Sequence, residues 1–237
     1  LQSAISRAKD RLIGPRQFAA EAGCDYTLER IANIYDCYQK RLKAGNALDF
    51  DDIIMETVKL LRENGEIRDY YQRRYKYVCV DEYQDTNEAQ FELIKLLSGG
   101  YRNIMVVGDD DQSIYKFRGA RIENILSFEK NYEGARVIRL EENYRSVGNI
   151  LDAANAVISH NDGRMGKTLR TERESGEKIK IKRLENQNEE ARYIINKIGE
   201  LALREKRKYG DFAVLYRVNA QSNGLENTFA RSGIPYR

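Results

Sequence analysis

Three short apolar runs, each closed abruptly by polar residues, constrain the fold of this chain more than any other feature. The first is Tyr77 to Val80, ended by Asp81-Glu82; the second runs from Asn103 to Val107 and ends in Gly108-Asp109-Asp110-Asp111; the third, Arg136 to Leu140, is followed by Glu141-Glu142. Tyr77 to Val80 is β-branched and aromatic, too short for an amphipathic helix, and predicts a buried central strand. Between the runs, Phe91, Leu93, Ile94, Leu96 and Leu97 predict a helix capped by Asn87 and stopped at Gly99-Gly100, and Ile122 to Tyr132 predicts a second one. Strand, helix, strand, helix, strand is the pattern of an α/β fold with a mainly parallel sheet and right-handed crossovers. In such a sheet the three polar ends converge on one edge, where ligands of open α/β folds sit.

The flanks follow other rhythms. Residues 1 to about 47 read as helical: Gly14-Pro15 interrupts the chain, and Thr27 opens a longer helix with Leu28, Ile31, Tyr35, Tyr38 and Leu42 on one face and Gly45 as its stop. Asp49 caps a further helix carrying Phe50, Ile53, Ile54, Val58 and Leu61 and stopping near Gly65. Asp49, Asp51 and Asp52 read as helix-terminal charges rather than metal ligands. Past Ser146 a second α/β unit begins. Helices are expected over Ile150 to Ile158, Glu189 to Lys206 and Gln221 to Arg231, and strands over Lys178 to Leu184 and Asp211 to Arg217.

Composition narrows the class. A chain of 237 residues with 41% hydrophobic content can bury a core, and no apolar run approaches a membrane span. Cys24, Cys37 and Cys79 are scattered and odd in number, which predicts reduced, structural thiols in a cytoplasmic protein. The net charge of +3 is too small to indicate a polyanion partner, so any nucleic-acid site must be local. The chain starts at Leu1, ends at Pro235-Tyr236-Arg237 and reads as a piece of something longer.

Asp81-Glu82 at a strand end suits a magnesium-nucleotide: one carboxylate holds the cation and the other handles a water. The plainer alternative is that the pair caps the next helix. Tyr115-Lys116-Phe117-Arg118 places aromatics beside cations, as single-stranded nucleic acid requires; the alternative is that Phe117 belongs to the core. Gln112 can equally be a solvated turn residue, and Tyr144-Arg145 a packed aromatic beside a surface cation. Gly163-Arg164-Met165-Gly166-Lys167-Thr168 has the ending of a phosphate-binding loop. It lacks the required first glycine, Asn161 standing there, and follows a helix instead of a strand, so it is set aside. His160, at a helix end, has no catalytic role.

Val80-Asp81-Glu82-Tyr83-Gln84-Asp85-Thr86-Asn87, Val107 to Ala120 and Leu140-Glu141-Glu142-Asn143-Tyr144-Arg145-Ser146, in this order, closely resemble motifs II, III and IV of superfamily 1 DNA helicases of the UvrD, PcrA and Rep type. The resemblance implies a RecA-like P-loop NTPase lobe with an incomplete parallel sheet and a helical insertion, and the start of a second RecA-like lobe. Residues 1–47 would belong to the insertion, 48–146 to the first lobe and 147–237 to the second. It implies ATP and Mg²⁺ as cofactors, Asp81 as the metal ligand, Glu82 as the water-activating residue, Gln112 as a γ-phosphate sensor, Arg145 as an arginine finger and Tyr144 as the adenine-stacking aromatic. Tyr115, Phe117 and Arg118 would contact single-stranded DNA and its junctions with duplex; the bacterial helicases usually carry tryptophan where this chain has Phe117. The implied activity is ATP-driven translocation and duplex unwinding in DNA repair or replication. The family's phosphate-binding loop does not occur within residues 1–80, so the 237 residues alone are expected to hydrolyse little ATP. Three rival readings are the motor part of a helicase-nuclease, a non-catalytic nucleotide- or DNA-binding module, and an unrelated magnesium-binding α/β fold, which leaves motifs III and IV unexplained.

Overall fold

In the computed structural model, which describes residues 1–237, the chain forms eleven α-helices, several single 3₁₀ turns and one two-stranded parallel sheet. It divides into two compact units, Leu1–Gly176 and Glu177–Arg237. No helix is long and apolar enough to cross a membrane.

The first unit opens with α1 (Gln2–Asp10), α2 (Pro15–Ala22) and α3 (Tyr26–Ala44). Proline at the first position of α2 suits its missing N–H, and the Asp25 carboxylate caps α3 through the N–H groups of Thr27 and Leu28. Tyr35 from α3 is wholly buried among Ile5, Ala8 and Ile13, with Phe18 edge-on to its ring at 6.1 Å. Its hydroxyl donates to the Ile13 carbonyl, so the buried phenol is satisfied. Helix α4 (Phe50–Glu63) starts at a capping box between Asp49 and Asp52. The same two carboxylates grip Lys9 of α1, at 2.6 and 2.8 Å, and the lysine side chain is fully buried. These aspartates therefore cap a helix and pair a buried cation, tying α1 to α4.

Helix α4 stops at Glu63, close to Gly65 as expected, and Gly65 opens a further helix, α5 (Gly65–Arg74). Asn64, in extended conformation, ends α4 by donating to the Leu60 carbonyl, and the chain turns at once into the next helix. Strand β1 (Val78–Val80) pairs in parallel with β2 (Ile104–Val106), Val78 opposite Ile104. Helix α6 (Glu88–Ser98) makes the crossover, opened by a capping box between Asn87 and Gln90. The sheet is covered on one side only. Val78, Val80, Ile104 and Val106 are half-buried, while Cys79 and Met105 face solvent, so β1 is not the doubly buried central strand expected. All three cysteines are free and exposed, and none is a core residue.

The helix expected over Ile122 to Tyr132 is two short ones, α7 (Glu123–Leu126) and α8 (Phe128–Asn131). The Ser127 hydroxyl between them donates back to the Glu123 carbonyl, a local bond that competes with the helical ladder. Arg136 to Leu140 is not a strand: it pairs with nothing, and Ile138 and Leu140 are exposed. A single bridge between Glu142 and Arg170 is the only pairing near it. Helix α9 (Gly148–Ile158) follows, with the His160 ring against the Ala156 carbonyl just beyond its end.

The second unit is built on α10 (Gln187–Glu205), capped by Asn186, and α11 (Ser222–Ser232); Ala191, Ile198 and Phe229 are its buried apolar residues. The strands expected over Lys178 to Leu184 and Asp211 to Arg217 are absent. Their outward residues Ile181 and Leu215 are each 94% exposed, and alternation without a paired neighbour gives extended chain, not a sheet.

Candidate active site

The two strands deliver motifs II and III side by side. Immediately after β1, Asp81 accepts the Glu82 N–H at 2.9 Å, and Glu82 takes a left-handed backbone with φ of 50°, uncommon for a side-chain-bearing residue. Both carboxylates are exposed. The turn Tyr83–Asp85 then buries Tyr83, edge-on to Phe128, and Gln84. Burial pushes the Tyr83 phenol up to about 12, with a smaller contribution from Tyr132.

Gln84 joins the two motifs. Its amide nitrogen donates to Glu82 at 2.8 Å, and its amide oxygen accepts the Asp109 N–H at 2.9 Å. Gly108 makes this approach possible: a β-carbon there would lie 2.5 Å from the Gln84 oxygen and 2.9 Å from Ile125. One residue on, Asp109 accepts the Gln112 side-chain amide at 2.7 Å. Glu82, Gln84, Asp109 and Gln112 thus form one hydrogen-bonded chain across the strand ends. Gln84 was not assigned a role from the sequence; the only signal for it is its place two residues after the acid pair.

The acid pair can hold a divalent cation. Asp81 has an oxygen to spare, and Asp85 carries a buried oxygen with no hydrogen-bond partner. Burial, and then the nearby Glu82 charge, raise the Asp85 carboxyl above its usual range. A spare carboxylate oxygen on Asp81 and an unsatisfied one on Asp85 fit Mg²⁺, which prefers one or two carboxylates and otherwise water or phosphate oxygens. Asp109, Asp110 and Asp111 also lie close together, within 4.8 Å. Each already has a partner: Arg164 grips Asp111 through two bonds of 2.6 and 2.7 Å, Lys167 pairs with Asp109, and the Met165 N–H meets Asp110 at 2.8 Å, two cations against three carboxylates. The loop set aside as a false phosphate binder therefore wraps the acidic triplet, across more than fifty residues of sequence that gave no hint of the pairing. Burial opposes charge on Asp109, but bonds from Lys167 and Gln112 outweigh it and hold its carboxyl below the usual range.

Tyr144 and Arg145 lie on a separate exposed turn. Asn143 accepts the N–H groups of Arg145 and Ser146, and Arg173 donates to the carbonyls of Tyr144 and Arg145. Neither side chain hydrogen-bonds or ion-pairs with Asp81, Glu82 or Gln112.

Beyond Gln112, Phe117 is 64% exposed rather than core. Its ring centroid lies 5.8 Å from that of Tyr115, and the Arg118 guanidinium stands over both rings at 5.2 and 5.7 Å. Phe117 also forms one wall of an open groove of about 600 Å³ in which Arg7, Arg11, Lys116 and Arg121 outnumber the acids Asp10 and Glu88. The local basic character absent from the net charge is found here.

The UvrD/REP helicase N-terminal domain family matches residues 1–133, and the UvrD-like helicase C-terminal domain family matches residues 138–237. Among curated relatives, the ATP-dependent DNA helicases PcrA of Staphylococcus epidermidis and Bacillus subtilis are each 48% identical over 98% of this chain. That of Leuconostoc citreum is 45% identical over 98% of it. The chain spans about a third of their length, 32% and 31% for the first two.

Proposed function

The chain belongs to the UvrD/REP helicase family, and from that premise we propose that it supplies the magnesium, water-handling and phosphate-sensing part of an ATP-dependent DNA helicase. Residues 1–47 form part of the helical insertion, 48–146 the sensor-bearing half of a RecA-like lobe and 147–237 part of the second lobe of a longer, cytoplasmic motor. The observation that carries this reading is the hydrogen-bonded chain from Glu82 through Gln84 and Asp109 to Gln112, with an exposed aromatic and arginine platform a few residues beyond.

Phosphoryl transfer to water asks a protein mainly for positioning and charge stabilisation. Asp81 would hold Mg²⁺, which neutralises phosphate charge when bound. Glu82, oriented by the Gln84 amide, accepts the proton of the attacking water. Gln112 trades its bond to Asp109 for one to the terminal phosphate or the water, and the free amide reports whether that phosphate is present. Arg145 approaches the transferring group when the nucleotide is held, and Tyr144 stacks on adenine. Because Gln112 and Phe117 share one short loop, a shift at the phosphate moves the surface on which bases of single-stranded DNA stack.

The test is Glu82→Gln in the full-length protein. ATP turnover stimulated by single-stranded DNA should fall on the order of a hundredfold or more while nucleotide affinity stays within a few-fold. Unchanged turnover overturns the assignment.

A further inference from the structure

The loop Arg164 to Lys167 is absorbed neither by phosphate binding nor by the proposed chemistry, yet both of its cations pair with the acidic triplet that follows β2. Arg164 is bidentate on Asp111, the Met165 N–H caps Asp110, and Lys167 holds one oxygen of Asp109 while the other oxygen holds the Gln112 amide. The arginine and lysine side chains are 19% and 18% exposed, so these pairs are well shielded from solvent. They also join residues matched by the N-terminal helicase domain family to residues matched by the C-terminal one.

We propose that Lys167, with Arg164, is a positioning residue for Gln112, fixing the sensor loop through Asp109 and linking it to the segment after α9. The inference rests on Gln112 acting as the phosphate sensor. Its physical basis is a shared carboxylate. While Gln112 is bonded to Asp109, Lys167 and the amide divide one charge. When the amide turns to a phosphate, Lys167 keeps that charge compensated, so the half-buried carboxylate is not left bare. Without the lysine, Asp109 would hold the Gln112 amide more tightly and the loop would lose one of its anchors. The defect would then fall on the step after nucleotide binding and not on binding itself.

The experiment compares Lys167→Met, Lys167→Arg, Gln112→Ala and the double variant Lys167→Met/Gln112→Ala in the full-length protein. DNA-stimulated ATPase is the readout, with thermal melting run alongside. Lys167→Met is expected to lower kcat at least tenfold with KM for ATP within threefold, and Lys167→Arg to restore half or more of the turnover. In the Gln112→Ala background the lysine substitution should cost no more than a further twofold. Equal losses in both backgrounds, a neutral Lys167→Met or a failure of arginine to rescue overturns the inference. If Gln112→Ala itself leaves turnover intact, the sensor reading falls and this inference with it, an outcome distinct from the others. Should Lys167→Met not fold, Lys167→Gln takes its place. Amide hydrogen exchange of the 237-residue chain carrying that change should then be at least tenfold faster over residues 110–113 and unchanged in β1; unaltered exchange at 110–113 also overturns the proposal.

Discussion

The side-chain oxygen of Gln84 accepts the backbone N–H of Asp109 at 2.9 Å, bridging the residues that follow β1 to those that follow β2. Through this bond the turn carrying Glu82 is tied to the loop carrying Gln112, since Gln84 also donates to Glu82 and is almost completely buried. A buried amide satisfied at both ends specifies geometry more than it adds stability, because most of its hydrogen-bond energy is offset by lost hydration.

Gly108→Ala should break this bridge. A methyl group there meets the Gln84 oxygen at 2.5 Å, Ile125 at 2.9 Å and the Tyr83 nitrogen at 3.2 Å, and the last is backbone that cannot swing away. The expected cost is about 1–3 kcal/mol of stability, the usual range for overpacking a filled site, measured by urea denaturation. A change within about 0.3 kcal/mol would show that the loop relaxes freely, contrary to the geometry.

Lys9→Met should be more damaging than its conservative volume suggests. The substitution leaves Asp49 and Asp52 facing each other and the fully buried Tyr35 without their cation. Breaking a buried pair from one side costs about 3–5 kcal/mol, here toward the low end because Asp49 remains a quarter exposed. Asp49 is desolvated by burial, yet bonds from Lys9, the Asp52 N–H and Tyr38 hold its carboxyl below its usual range. A depressed folded-state value contributes stability present above the unfolded value and lost as pH falls. Acid melts of the wild type should therefore be steeper than those of Lys9→Met, and equal slopes would contradict the assigned pairing.

The parts of the fold that were legible in the sequence are those decided locally. Asp49 and Asn87 stand before apolar periodicity with a polar residue three positions on, and both form capping boxes. Val78–Val80 and Ile104–Val106 pair as their apolar runs suggested. What failed was decided by partners. Arg136 to Leu140, Lys178 to Leu184 and Asp211 to Arg217 alternate like strands, but a strand exists only when a neighbour completes its ladder, and none does. Asp81 and Glu82 follow β1 and Gln112 follows β2, as the apolar runs implied, whereas Arg164 and Lys167 resembled a phosphate loop and turned out to hold carboxylates. Attraction between residues far apart in sequence leaves no local mark.

Phe117→Ala should weaken single-stranded DNA binding by about 1–3 kcal/mol, the contribution of one stacked base, with Phe117→Trp equal to or tighter than wild type. Exposure of the ring and the guanidinium above it place this loss at the surface, so thermal stability should hardly change. Arg118→Gln should act differently. If Arg118 meets a phosphate of the strand, removing its charge lowers affinity for all sequences and reduces the slope of log K against log salt by about 0.7 for a single strand. Fluorescence anisotropy with a labelled oligonucleotide between 50 and 200 mM salt, roughly the range over which such contacts are diagnostic, separates the two effects. An unaltered slope for Arg118→Gln would remove that residue from the interface.

Asp10 predicts a pH dependence of the opposite sense to that of Asp49. Its carboxylate accepts the Asn87 side-chain amide at 2.7 Å and lies 3.2 Å from where a Gly119 β-carbon would stand, so it sits beneath both motif II and the aromatic loop. Arg7, Arg11, Glu88 and Arg121 line the groove beside it. Burial, and after it the charge of Asp51, push its carboxyl up to about 6 from an ordinary value of 3.8. Between those values the folded chain keeps a proton that the unfolded chain has released, so stability falls as pH rises. The contribution is complete below 3.8 and lost as pH passes about 6. Asn at this position still accepts from Asn87 and never carries the charge. Asp10→Asn should therefore match the wild type near pH 4 and exceed it near neutrality by on the order of 1 kcal/mol, a figure reduced for the half of the side chain that water screens. Urea titrations at several pH values decide the matter: a constant offset between the two proteins from acid to neutral pH would show that Asp10 titrates alike in the folded and unfolded chain.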